Sequence, residues 1–332
     1  MHAVSVSSKS AVVHLSDIKR QPQIYARLER YRRGNARYLI EFIAEATATF
    51  FYTFAGGGST ASYVFGNLLG LPNLGSLFQV GVAYAIGIVM ALAVCLPVSN
   101  GHANPAFTIY AVIHGHCTSA KGLRLIVAQI FGAYIACLLI YAQYHNLFKE
   151  AEAALVAKGV YNELMFTTQG PAGVIGLYAT PGANLGFIFL NEFICDFVLA
   201  LAIFAAIEPT NAFMPPAAAP WFIGFIYAVV IWGYAPVGLA ANSARDVGGR
   251  LAALTLWGAR ASGGRYAAIA ALTNIPATLL AGVFYELVFN DPDRTVTSAH
   301  LELTNGARAY EARCRGGDSA ESVESETFKQ AP

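Results

Sequence analysis

The residues of this chain best suited to chemistry are two asparagines, Asn104 and Asn242, each heading a short apolar run. The first stands in Asn100-Gly101-His102-Ala103-Asn104-Pro105-Ala106, the second in a weaker copy, Ala241-Asn242-Ser243-Ala244-Arg245-Asp246. An asparagine side chain offers an amide donor to a water or hydroxyl oxygen. An oxygen turned toward two such donors is a poor relay for protons. Arg245, three positions after Asn242, shares its helix face and adds a permanent charge one turn away. This is a chemistry of passage, in which neutral molecules are accepted and cations refused. No nucleophile–base pairing or phosphate-binding loop accompanies it, so an enzyme finds no support.

The elements that position these residues follow from length and hydropathy. Each motif comes after an apolar run of roughly 20 residues, enough to cross a bilayer, and opens one about half as long. A half-length helix at membrane depth is tolerated only where it is packed in protein or lines a cavity. Asn104-Pro105 reads as an N-cap followed by a first residue whose φ is already set. Ser243 takes the place of proline in the second copy, so Asn242 keeps the cap while the entry angle is less rigid. Two half-helices meeting tip to tip would bring their positive dipole ends together near the middle of the slab.

Composition supports a membrane setting: 56% of the 332 residues are hydrophobic and 12% charged, too apolar for an ordinary soluble protein. Apolar segments run over about 38–58, 77–97, 122–143, 184–207, 218–236 and 266–289. The half-helices lie at 104–114 and from Ser243 to about Trp257. Three spans per half give an inverted repeat, about 38–144 and 184–290, joined by an outer Gly/Pro-rich loop 145–183. Residues 1–37 form a basic tail with Arg27, Arg30, Arg32, Arg33 and Arg37, placed on the cytoplasmic side. Serines Ser5, Ser7, Ser8 and Ser10 give that tail a possible gating role, and residues 291–332 read as a disordered cytoplasmic tail. The first span is expected to act as its own targeting signal.

Other polar residues have plainer readings. Glu45 and Glu192 precede the two cap asparagines by 59 and 50 positions. As intramembrane carboxylates they suit holding the backbone of the re-entrant loops better than relaying protons. Asp196, one turn after Glu192, has no assignment and is the main argument for a proton-coupled transporter. Asp246 and Arg250, four apart, are explained as well by a helix-surface ion pair as by a role in substrate choice. His102 suits a hydrogen-bonded structural role, and His114, His116 and Cys117 lack the fourth ligand of a metal site. No metal or other cofactor is expected. Five scattered cysteines, Cys95, Cys117, Cys137, Cys195 and Cys314, give no disulfide framework.

Taken together, these residues resemble the major intrinsic protein family, the aquaporins and aquaglyceroporins, over about 38–290. The resemblance rests on Asn104-Pro105-Ala106 after a second span, its flanks Ser99, Gly101, His102 and Thr108, the partner Asn242-Ser243-Ala244, and Arg245 beyond it. It implies an all-α fold of six transmembrane helices and two re-entrant half-helices, one pore per subunit, and a homotetramer in the bilayer. Counting from the two asparagines, it places an outer selectivity filter at Tyr84, Val230, Leu239 and Arg245. Val230 stands where water-selective members carry histidine, and Asp246 and Arg250 match the glycerol-conducting members. Leu272 and Thr273 fit neither group. Pro97 and the serine variant of the motif resemble fungal members.

The function expected is a passive channel for water and small neutral solutes, glycerol favoured, excluding ions and protons. A proton-coupled secondary transporter and a water-selective channel are the alternatives. The plasma membrane is the expected location, and no nucleic acid is an expected partner.

Overall fold

The computed structural model describes residues 12–19, 22–25, 28, 31, 36–235 and 238–314. They fall into two units, Leu39–Arg294 and a smaller one drawn from Met1–Tyr38 and Thr295–Pro332. The larger unit carries the first repeat as α1 (Arg37–Leu69), α2 (Leu77–Ser99), α3 (Pro105–Ile113) and α4 (Ser119–Gln143). After a connector containing α5 (His145–Ala157) comes the second repeat, α6 (Leu185–Ile207), α7 (Ala219–Val229), α8 (Ser243–Trp257), α9 (Tyr266–Leu272) and α10 (Asn274–Val288). Four of these spans, α2, α4, α6 and the α9–α10 pair, are long and apolar enough to cross a membrane, with mean hydropathy from 1.7 to 2.3. A π-helical turn, Val230–Tyr234, extends α7, and the polar-ended α1 completes the six spans.

The halves interlock crosswise. Half-helix α3 packs on α10 of the other repeat, half-helix α8 packs on α4, and α2 pairs with its counterpart α7. Close approach at the α8–α4 crossing depends on Gly248, where a Cβ would lie 2.6 Å from the Ile130 carbonyl oxygen and 2.7 Å from Ala133 Cβ. Small residues at such crossings let backbones meet. Gly248→Val is therefore expected to cost about 1–3 kcal/mol through overpacking. Thermal unfolding in detergent checks this, and an unchanged midpoint would rule it out.

Three stretches differ from expectation for local reasons. The first span continues to Leu69, burying Ala61, Val64 and Phe65 beyond the glycines, while Thr60 Oγ1 and Ser62 Oγ bond back to the carbonyls of Gly56 at 2.8 Å and Gly58 at 3.4 Å. That buried face carries the helix past the glycines, since packing of an apolar face supplies most helical stability in proteins. The connector 145–183 is not one loop: α5 buries Phe148, Ala151 and Leu155 along one face, and short turns follow at Tyr161–Leu164 and Ala172–Ile175. Within the tail expected to lack structure, Ser298–Cys314 forms a helix, α11.

In the smaller unit a short turn, Leu15–Ile18, is held by Asp17, which accepts from the His14 backbone N–H at 2.9 Å and pairs with Arg313 at 3.3 Å. These partners, the His14 N–H first, hold the Asp17 carboxyl below the usual aspartate range. Arg27, Arg30, Arg32, Arg33, the four N-terminal serines and residues 315–332 lie outside the described residues.

Candidate functional site

The site begins with two strained alanines. Ala103 and Ala241 sit at φ 49° and 55°, in the left-handed region that costs a non-glycine residue roughly 1–2 kcal/mol. Each precedes a cap asparagine, and that turn aims its carbonyl across the junction. Asn104 Nδ2 donates to the Ala241 carbonyl at 3.0 Å, and Asn242 Nδ2 donates to the Ala103 carbonyl at 2.8 Å. The tips of α3 and α8 are thus tied together by a reciprocal pair of bonds. Asn242 keeps a second amide N–H beyond this one, and the second N–H of Asn104 has the Tyr227 hydroxyl beside it.

The same asparagines cap their helices. Asn104 Oδ1 accepts from Ala106 N at 3.1 Å, and Asn242 Oδ1 from Ala244 N at 2.9 Å and Arg245 N at 3.2 Å. Pro105 opens α3 and Ser243 opens α8. Pro105, Ala106, Ser243 and Ala244 are all buried. With the two helix N-termini converging, their partial positive charges converge too.

Two buried glutamates hold these tips from behind. Glu45 Oε1 accepts from Ala103 N at 2.6 Å and from Gln129 Nε2 at 2.7 Å, and Gln129 in turn reaches Thr108 Oγ1 at 2.9 Å. Glu192 accepts from Ala240 N with both oxygens, at 2.9 and 3.1 Å, and from the Tyr266 hydroxyl at 3.2 Å. Each carboxylate therefore fixes the peptide one or two positions before its cap. His102 Nδ1 lies 3.2 Å from Thr108 Oγ1, and His114 Nδ1 lies 2.9 Å from the Tyr110 carbonyl.

Arg245 is 2% exposed. Its guanidinium donates to the Ile175 carbonyl at 3.0 Å and the Val174 carbonyl at 3.4 Å, so the short turn Ala172–Ile175 of the connector closes over it. Gly249 permits this, because a Cβ there would crowd Ile175 O and the arginine itself. The Tyr84 ring lies beside Arg245 and tilts against Tyr52, with centroids 5.2 Å apart. Tyr52 in turn meets Tyr227 at 5.6 Å, and the Tyr227 hydroxyl lies beside the Asn104 side chain. Leu239 packs against this tyrosine cluster, and Val230 is fully buried at the start of the π turn.

One sequence reading changes. Asp246 and Arg250 are not a helix-surface pair: Asp246 is 0% and Arg250 9% exposed. Their ion pair is buried because Arg250 also donates to the Ser262 carbonyl at 3.0 Å and the Leu177 carbonyl at 3.1 Å, pinning the connector to the turn after α8. The sequence reading also missed Gln129, Tyr266, Tyr52, Tyr227 and the two connector carbonyls. None of these lies in a local motif. Only their polarity within apolar runs could have drawn attention to Gln129 and the tyrosines.

Comparison with known proteins agrees with this geometry. Residues 34–260 match the major intrinsic protein family. Aquaporin-3 of Laccaria bicolor is 47% identical over 325 residues, covering 97% of this chain and 98% of that protein. A glycerol uptake facilitator protein of Pseudomonas aeruginosa is 32% identical over 231 residues, covering 68% of this chain and 78% of its own length. In fold, the chain is similar to the crystal structure of the aquaglyceroporin from Plasmodium falciparum, with a TM-score of 0.63 at 20% identity, covering 76% of this chain and 96% of that one. The chain is an integral membrane protein of the major intrinsic protein family.

Proposed function

We propose that the chain is a passive transmembrane channel for water and small neutral solutes, with glycerol among its cargoes and with ions and protons excluded. The observation that carries this reading is the reciprocal Asn104–Ala241 and Asn242–Ala103 bonding at the meeting of two helix N-termini. It leaves Asn242 an amide donor for a passing oxygen, with the Tyr227 hydroxyl beside the second N–H of Asn104, inside a positive field that opposes cations. Tyr84, Val230, Leu239 and Arg245 form the selectivity filter in this reading. Asp246 and Arg250 serve it by bracing the connector, so the preference for glycerol rests on Val230, which lacks the polar bulk of histidine, and on the relatives named for glycerol uptake. The protein works as a homotetramer in the plasma membrane with both termini in the cytoplasm. Lys121 and Arg124, which pair with Glu41 at 3.5 and 3.6 Å, lie on that side.

Paired water and glycerol permeabilities of reconstituted vesicles test the reading. Wild-type flux should exceed that of lipid alone for both, and Val230→His should depress glycerol flux about tenfold while changing water flux less, since a narrower opening excludes the larger molecule first. Equal flux with and without protein would remove the channel assignment.

A second reading, proton-coupled transport, is favoured by one observation. Asp196 is 2% exposed and neither carboxyl oxygen has a hydrogen-bond partner among the described residues. A buried carboxyl in that state is costly unless it binds a proton or a donor. Uphill solute uptake driven by a pH gradient, abolished in Asp196→Asn, would favour this reading. Strictly downhill flux would dismiss it.

A further inference from the structure

Ser243 stands where the first half-helix has proline, and the structure shows what replaces the lost restraint. Its hydroxyl donates to Asn274 Oδ1 at 2.6 Å, and Asn274 Nδ2 donates to Asn104 Oδ1 at 3.1 Å. All three side chains are buried, at 5%, 2% and 3% exposure. The chain of bonds joins the first residue of α8, the first residue of α10 and the cap of α3. Both half-helix tips are thus connected through a residue of the last span.

The direction of these bonds is determined by their partners. Were the Asn274 amide turned over, its oxygen would face the Asn104 oxygen with no hydrogen between them. Asn104 Oδ1, fixed as an acceptor by the Ala106 N–H, holds it the other way, and the Ser243 hydroxyl completes the arrangement by donating to the Asn274 oxygen. Asn104 Oδ1 then accepts from both Ala106 N and Asn274 Nδ2, which occupies its two lone pairs. Asn104 Nδ2 is thereby held toward the Ala241 carbonyl and the Tyr227 hydroxyl. The second asparagine needs no such help, because Asn242 Oδ1 receives two backbone donors, Ala244 N and Arg245 N. At α3, Ala106 N is the one backbone donor to the cap oxygen among the described residues. Asn274 supplies the second.

We propose that Asn274 is a positioning residue of the pore centre: with Ser243 it clamps the Asn104 amide with its N–H side turned to the junction of the two half-helix tips, where the permeating molecule passes. The clamp replaces the fixed φ of a proline with a hydrogen-bonded brace. Its role in conduction rests on the channel reading above, while the brace itself does not.

Four proteins test it: wild type, Asn274→Leu, Ser243→Pro, and the double variant. Each is measured for water permeability per reconstituted protein and for thermal unfolding in detergent. Asn274→Leu strands the Ser243 hydroxyl and removes a donor from Asn104, so permeability should fall about tenfold, the scale of one lost buried hydrogen bond. Ser243→Pro strands Asn274 Oδ1 and should lower it by roughly half that factor on a logarithmic scale. In the double variant the proline fixes the entry to α8 and no polar atom of the pair is left stranded. Asn104 Oδ1 still lacks its second donor there, so the unfolding midpoint should recover toward wild type while permeability stays near that of Asn274→Leu. Wild-type permeability in Asn274→Leu or in the double variant would overturn the clamp. If the wild type conducts nothing above lipid alone, the channel reading fails, and the unfolding midpoints decide the clamp: recovery in the double variant upholds the brace, simple addition of the two losses refutes it.

Discussion

Glu192→Leu is expected to lower the stability of the folded protein by roughly 3–5 kcal/mol, the usual consequence of removing one partner from a buried, hydrogen-bonded charged group. The size follows from what the carboxylate satisfies. Ala240 N–H lies in an extended stretch leading to the second cap, where no helix or strand offers it an acceptor, and both carboxylate oxygens meet it at 2.9 and 3.1 Å. The Tyr266 hydroxyl from α9 completes the arrangement at 3.2 Å. Leucine would leave both donors buried without partners while the strained turn at Ala241 still had to be held. Glu192→Gln keeps one acceptor oxygen and should cost less, roughly 1–3 kcal/mol. Unfolding midpoints and the monodisperse fraction in detergent report the difference. A Glu192→Leu protein that melts with the wild type would show that the tip is held by packing alone.

How far the sequence revealed this arrangement depends on how local each restraint is. The half-helix starts were legible because an N-cap acts on the next two or three residues, so Asn104-Pro105 and Asn242-Ser243 carry their own structural signal. Glu45 and Glu192 were legible as a pair only because the repeat places each at a similar distance from its cap. Arg245 declared itself by spacing. Its partners did not: Val174 and Ile175 lie about seventy positions earlier in a connector whose fold depends on α8 being present. Asn274 was silent for the same reason, being one polar residue inside an apolar run. The Asp246–Arg250 pair shows the reverse error, since four-residue spacing identifies an ion pair but says nothing about whether the connector will cover it. In α1 the expected span stopped at the glycines while the helix continued, because Ala61, Val64 and Phe65 resume its buried face beyond them.

The larger functional effect is expected at Arg245. A unit charge about 5 Å from a permeating monovalent cation, at the effective dielectric of about 20 that suits protein interiors, opposes it by roughly 3 kcal/mol. That corresponds to about two orders of magnitude in passage. Arg245→Val should therefore raise cation leak about a hundredfold per channel, with proton leak increasing in parallel, while water still crosses. The variant also frees the Val174 and Ile175 carbonyls, so a loosened connector has to be separated from a lost charge. Arg245→Lys makes that separation. Lysine keeps the charge but not the planar fork that reaches two carbonyls at once, so it should restore most of the exclusion of cations without restoring the connector's thermal stability. Flux of potassium and protons into dye-loaded vesicles, read beside osmotic water flux, measures both. If Arg245→Val vesicles hold a potassium gradient as tightly as wild type while conducting water, the barrier lies in the opposed helix termini at Asn104 and Asn242, and the arginine's work is to hold the connector closed.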